Sequence, residues 1–218
     1  MADHENNARR AALKHVAAMG AAAALPAGVL TPSAASAQAA PKATAPQTLT
    51  ATEAGILDAI CARLIPSDDK FPGAKEARAA DYIDRSLADY LAGSRKAYAA
   101  GLAAVNAYAH SSKGALFTAL SAADQDAVLT DMEKNAATGF TPNSSAFFNL
   151  VRNHTIQGTF CDPAYGGNAN FAGWDLIGYP GIRMAVAPEE QRMSLKPKPQ
   201  RQSAYRDATL AKGSSHGH

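Results

Sequence analysis

The chain has 218 residues, about the length of one ordinary domain. Hydrophobic residues make up 47% of it, enough for a packed core, which excludes global disorder. A formal net charge of +2, dispersed along the chain, gives no nucleic-acid footprint. Alanine dominates the apolar share, favouring closely packed helices over a sheet of Val, Ile and Phe.

Residues 1–37 read as a cleaved export signal. A polar stretch ending at Ala8 leads to Arg9-Arg10, then Leu13-Lys14, then an uncharged Ala/Gly-rich run over residues 16–30. That run is shorter than the roughly 20 residues a bilayer crossing needs. Ala35-Ser36-Ala37 and Ala37-Gln38-Ala39 both fit a small-x-small cleavage site. Arg9 and Arg10 before a weakly apolar core resemble a twin-arginine signal, with Ala8 and Ala12 departing from its usual Ser/Thr and Phe. A general secretory signal is the alternative. Residues 38–49, rich in Pro, Ala and Thr, read as a linker. The two cysteines, Cys61 and Cys161, suit an oxidising compartment. They cannot ligate an iron–sulfur cluster alone, and no C-x-x-C-H is present to attach haem.

Helical periodicity then takes over. Thr50 stands three residues before Glu53, a capping-box spacing, and Ile56, Leu57, Ile60, Cys61, Leu64 and Ile65 share a face until Pro66 stops the helix. In a polar loop, Asp68-Asp69 read as solvated carboxylates that cap the next helix rather than as a metal site. That helix places Tyr82, Ile83, Leu87, Tyr90 and Leu91 on a stripe, with Asp81, Asp84, Arg85 and Asp89 toward water. A third helix from about Arg95 carries Tyr98, Leu102, Val105 and Ala109 inward. After a short apolar turn with Leu116, Phe117 and Leu120, Ser121 caps a helix burying Val128, Leu129 and Met132, which Gly139 is expected to end. Thr141-Pro142 is expected to start the last long helix, running through Phe147, Leu150, Val151 and His154 to about Gln157. No stretch alternates with period two. The predicted fold is all-α: a compact array of five to six helices, then a long Gly/aromatic-rich ordered loop.

That loop, residues 158–183, contains Gly166-Gly167, Gly173, Gly178, Gly181 and the single tryptophan, Trp174. Its glycines and prolines argue against helix from Gly158 onward. Phe160, Tyr165, Phe171, Trp174 and Tyr179 are expected to pin it to the helical body, and a long ordered loop of this kind commonly carries function. Residues 184–218, rich in Lys, Pro, Gln and Ser, read as an extended or disordered tail, which accounts for His216 and His218 without a metal.

Two segments carry a resemblance. One runs from Phe148-Asn149-Leu150-Val151-Arg152-Asn153-His154-Thr155 into Asp162-Pro163-Ala164-Tyr165-Gly166-Gly167-Asn168, then Gly173-Trp174 and Ile177-Gly178-Tyr179-Pro180-Gly181. The other is Ile65-Pro66 through Asp69 and Pro72-Gly73-Ala74. Together they resemble the gluconate 2-dehydrogenase subunit 3 family, the small subunits of membrane-bound, flavin-dependent gluconate, fructose, glucose and sorbitol dehydrogenases. The resemblance implies a large FAD-containing partner, often with a multihaem cytochrome c subunit, on the periplasmic face of the bacterial inner membrane. It also implies that this chain holds no flavin and acts in maturation, export and stability of the large subunit. Phe160, Cys161, Asp162, Pro163, Tyr165, Gly166, Gly167, Asn168, Trp174 and Tyr179 are then the candidate partner interface, with no catalytic, cofactor or metal residue of its own.

Other readings rest on less. The sequence has no G-x-S-x-G elbow, Walker loop, or G-x-G-x-x-G between strand and helix. A free-standing periplasmic carbohydrate-binding module, stacking a sugar on Trp174, Tyr165 or Tyr179, is the alternative function. The cysteines leave three states open: Cys161 bonded to the partner, Cys61 bonded to Cys161, or both free.

Overall fold

The computed structural model describes residues 45–183 and 185–205. The export signal with Arg9 and Arg10, and the tail histidines His216 and His218, lie outside the described residues. Among the described residues six α-helices follow in order: α1 (Ala51–Leu64), α2 (Ala79–Ala88), α3 (Arg95–Lys113), α4 (Ala122–Glu133), α5 (Ser144–Phe160) and α6 (Ala172–Ile177). No strand occurs among the described residues.

Local chemistry sets most boundaries. Thr50 and Glu53 form the capping box that starts α1: Thr50 Oγ1 accepts from Glu53 N, and Glu53 Oε2 accepts from Thr50 N at 2.7 Å. Ser121 Oγ caps α4 by accepting from Asp124 N. Gly114 ends α3 in the left-handed conformation (φ 79°), as a glycine readily does.

Helix α5 is the hub, packing against each of the other five helices. Its Phe147, Val151, His154 and Thr155 are buried with Ile56, Leu57 and Ile60 of α1, Ile83 and Leu87 of α2, Tyr98, Leu102 and Val105 of α3, and Val128 and Met132 of α4. Each large side chain of this set contributes about 1.5–3 kcal/mol by leaving water. The polar side chains that α5 buries here, His154 and Thr155, are paired, as burial demands. Tyr98 Oη meets His154 Nδ1 at 2.8 Å. Thr155 Oγ1 donates to Val151 O, which leaves its oxygen to accept from the Cys61 thiol at 3.3 Å.

Several sequence expectations change. Asp84 does not face water: it is buried, and its carboxylate accepts from the backbone N–H groups of Gln47, Thr48 and Leu49. The end of the linker thereby joins the core, with Leu49 buried. Tyr90 leaves the apolar stripe because α2 ends at Ala88, and its ring is 61% exposed. Leu116 is exposed, while its neighbour Phe117 is fully buried. Asp68 caps its own loop, accepting from Lys70 N and Phe71 N, and gives no cap to α2. Helix α4 ends at Glu133, before Gly139, because Asn135 takes the left-handed turn (φ 59°). Helix α5 starts at Ser144 because Asn143 caps it, its side chain accepting from Ala146 N; Pro142 lies just outside. It also runs on through Gly158 to Phe160. A Cβ at Gly158 would press on Tyr82 and Ala79, so the glycine lets α5 lie close against α2.

Candidate docking site

The segment after α5 is an ordered structure built around one side chain. Asn168 is fully buried and left-handed (φ 44°), a conformation asparagine tolerates better than most residues. Its amide donates to Cys161 O at 2.8 Å, and its oxygen accepts from Gly173 N at 2.8 Å and Trp174 N at 3.4 Å. Its own N–H donates to Gly158 O at 2.8 Å. One residue thus ties the end of α5 to the start of α6. The glycines beside it are required by close approach: a Cβ at Gly167 would strike Gly158 O, and one at Gly173 would strike Thr159 O.

Around this hub, Asp162 caps the short 3₁₀ turn Pro163–Tyr165 by accepting from Ala164 N, and Gly166 closes that turn with φ 91°. Ala169 N donates to Ala77 O, which fastens the loop to the approach to α2. Trp174 is buried, its Nε1 donating to Phe160 O at 3.0 Å. Phe171 and Tyr179 cover its ring at centroid distances of 5.4 and 4.9 Å. The segment expected to be loop therefore contains the six-residue helix α6.

The predicted interface residues divide into two sets. Gly167, Asn168 and Trp174 are interior and shape the loop. Tyr165 and Tyr179 are exposed, and Phe160, Cys161, Asp162, Pro163 and Gly166 are half-buried at its surface. Tyr165, Phe160 and Cys161 join Tyr82, Tyr90, Ile156 and Gln157 around a groove of about 450 Å³. Tyr82 and Tyr90 are hydrogen-bonded to each other through their hydroxyls at one wall. Ile156, an apolar residue 41% exposed on the outer face of α5, belongs to this groove. Sequence reasoning missed Tyr82, Tyr90, Ile156 and Gln157. The available signal was Ile156, whose phase on α5 is wrong for the core that Val151 and Thr155 face.

Both cysteines are free in this structure, Cys61 inside and Cys161 at the groove. Burial pushes the Cys161 thiol up to about 11 and the Cys61 thiol up to about 12, so both are held as thiols at neutral pH. Among the described residues no cluster of three His, Cys, Asp or Glu could hold a metal. No described helix is long and apolar enough to cross a membrane.

The sequence profile of one family, described as Gluconate 2-dehydrogenase subunit 3, matches residues 51–181. No curated protein and no solved structure matches the chain. The profile spans all six helices and the Asn168-centred loop, well over half of the sequence. The chain therefore belongs to the gluconate 2-dehydrogenase subunit 3 family, the small subunits of membrane-associated, flavin-dependent dehydrogenase complexes.

Proposed function

We propose that this chain is the non-catalytic small subunit of a periplasmic, FAD-dependent sugar or sugar-acid dehydrogenase. In this reading it docks on the flavoprotein subunit and is needed for that subunit's maturation, twin-arginine export and stability. The observation that carries it, beyond family membership, is the groove of Tyr82, Tyr90, Ile156, Phe160, Cys161 and Tyr165. Exposed tyrosines around an apolar floor, adjoining a rigid loop, are the kind of surface protein partners cover. FAD then belongs to the large subunit, and haem c to a cytochrome subunit where the complex has one. The carbohydrate-binding alternative is weaker: the Trp174 ring is enclosed by Phe171 and Tyr179, which removes the best stacking face for a sugar.

Co-expression tests the proposal. A flavoprotein subunit lacking its own signal should reach the periplasm as active enzyme only when this chain is present. Replacing Arg9 and Arg10 together by Lys should strand both in the cytoplasm. Normal periplasmic activity in that double variant would refute the twin-arginine part. Normal activity without the chain would refute the whole reading.

A further inference from the structure

Beyond the family-matched residues, the tail returns to the loop. Gln200 N donates to Pro180 O at 2.7 Å. Arg201 Nη2 pairs with Asp175 Oδ2 at 2.6 Å. Ser203 Oγ donates to Asp162 Oδ1, and Ala204 N to Asp162 Oδ2 at 2.8 Å. The Tyr205 and Tyr165 rings form a T-shaped pair with centroids 5.5 Å apart and hydroxyls 2.6 Å apart. Every second residue, Arg201, Ser203 and Tyr205, thus places its side chain on the loop, although the chain turns left-handed at Arg201 (φ 46°). Charge complements charge where Arg201 meets Asp175.

We propose that Asp162, Tyr165, Asp175 and Pro180 form a recognition site for a non-helical peptide segment, occupied in cis by residues 200–205. The segment it fits carries a cation, a hydroxyl two residues later and an aromatic hydroxyl two residues after that. Both Asp162 oxygens, Asp175 Oδ2, the Pro180 carbonyl and the Tyr165 ring are engaged by this one stretch of chain. A surface read by backbone and alternate side chains in this way is how proteins bind segments rather than folded faces. Tyr165 also lines the apolar groove, so the tail occupies one rim of the surface assigned to the flavoprotein. This second consequence rests on the docking reading: the flavoprotein displaces the tail as it docks, and the free subunit keeps that rim covered until then.

Limited trypsin digestion of the full mature chain reads the contact directly. Lys196 and Lys198 precede prolines and resist trypsin, so in this stretch cleavage falls at Arg192–Met193 and Arg201–Gln202. Met193 is fully exposed, which makes the first bond an internal control. In the wild type the bond after Arg201 should be cut at least tenfold more slowly than that after Arg192. Ser203→Ala combined with Tyr205→Ala should bring the two rates within about twofold of each other and leave the Arg192 rate unchanged. Equal rates at both bonds in the wild type, or unchanged protection in the double variant, overturn the cis site. When the flavoprotein binds, Arg201 should be cut as fast as in the double variant; a bound complex in which it stays protected overturns displacement. Failure of both wild type and variant to bind flavoprotein refutes the docking reading and displacement with it, while the cis site stands or falls on protection alone.

Discussion

Replacing Asn168 by Ala should unlock the loop while leaving the helical core intact. The substitution removes the amide that serves Cys161 O and the oxygen that serves Gly173 N and Trp174 N, all at a fully buried position. A buried donor or acceptor left without a partner costs about 1–3 kcal/mol, and Cys161 O and Gly173 N both lose theirs. Alanine must also adopt φ 44°, at roughly 1 kcal/mol. These terms are not additive, so the total should be about 3–5 kcal/mol, a large share of a typical domain's 5–15 kcal/mol. Glycine at 168 loses the same hydrogen bonds but accepts the backbone angle, and should recover about 1 kcal/mol relative to alanine. Urea unfolding followed by Trp174 fluorescence measures both, because the single tryptophan packs directly on this loop. A loss below 1 kcal/mol for Asn168→Ala, or a glycine variant less stable than the alanine one, would refute the idea that Asn168 organises the loop.

Interior and surface aromatics should separate cleanly. Trp174→Ala should cost the isolated subunit about 3–5 kcal/mol, whereas Tyr165→Ala, at a ring 55% exposed, should shift stability by less than about 1 kcal/mol while lowering complex yield. Equal stability losses would contradict this division. Alkylation should reach Cys161 well before Cys61, and its rate should rise about tenfold per pH unit up to about 11; early labelling of Cys61 would contradict the burial argument. Because both thiols are raised above their ordinary value of 9.0, the unfolded chain loses protons first, so stability falls as pH rises above 9 toward 12. His154 works in the opposite range. Burial lowers its pKa below the ordinary 6.5, so the unfolded state binds the extra proton and stability falls as pH drops below that value. His154→Gln should flatten the acid limb of the stability–pH curve, and an unchanged limb would show that other groups set it.

What the sequence revealed followed the range of the interactions involved. The Thr50–Glu53 capping box and the Tyr98, Leu102, Val105 and Ala109 stripe were legible because their causes lie within one helix. The buried state of Asp84 was not, because its partners are backbone N–H groups of residues 47–49, over thirty positions upstream. The motif from Asp162 to Asn168 and the Gly173-Trp174 pair marked this stretch as one ordered segment. Which of its residues face inward depends on the Asn168 hydrogen bonds and on glycine contacts with the α5 carbonyls, none of which has a sequence period. The groove was hidden for a related reason: it needs Tyr90, displaced outward by the end of α2, to meet Ile156 and Tyr165 from elsewhere in the chain.

The central claim is that this chain holds a flavoprotein through the groove beside the Asn168 loop, and affinity purification of the complex tests it most directly. Tagged mature chain should retain a near-stoichiometric flavoprotein, visible by its flavin absorbance. Tyr90→Ala, Ile156→Ala and Tyr165→Ala together should abolish that retention, with circular dichroism and thermal stability close to the wild type. A wild-type chain that purifies without flavin, or a triple variant that retains the flavoprotein undiminished, would contradict the account.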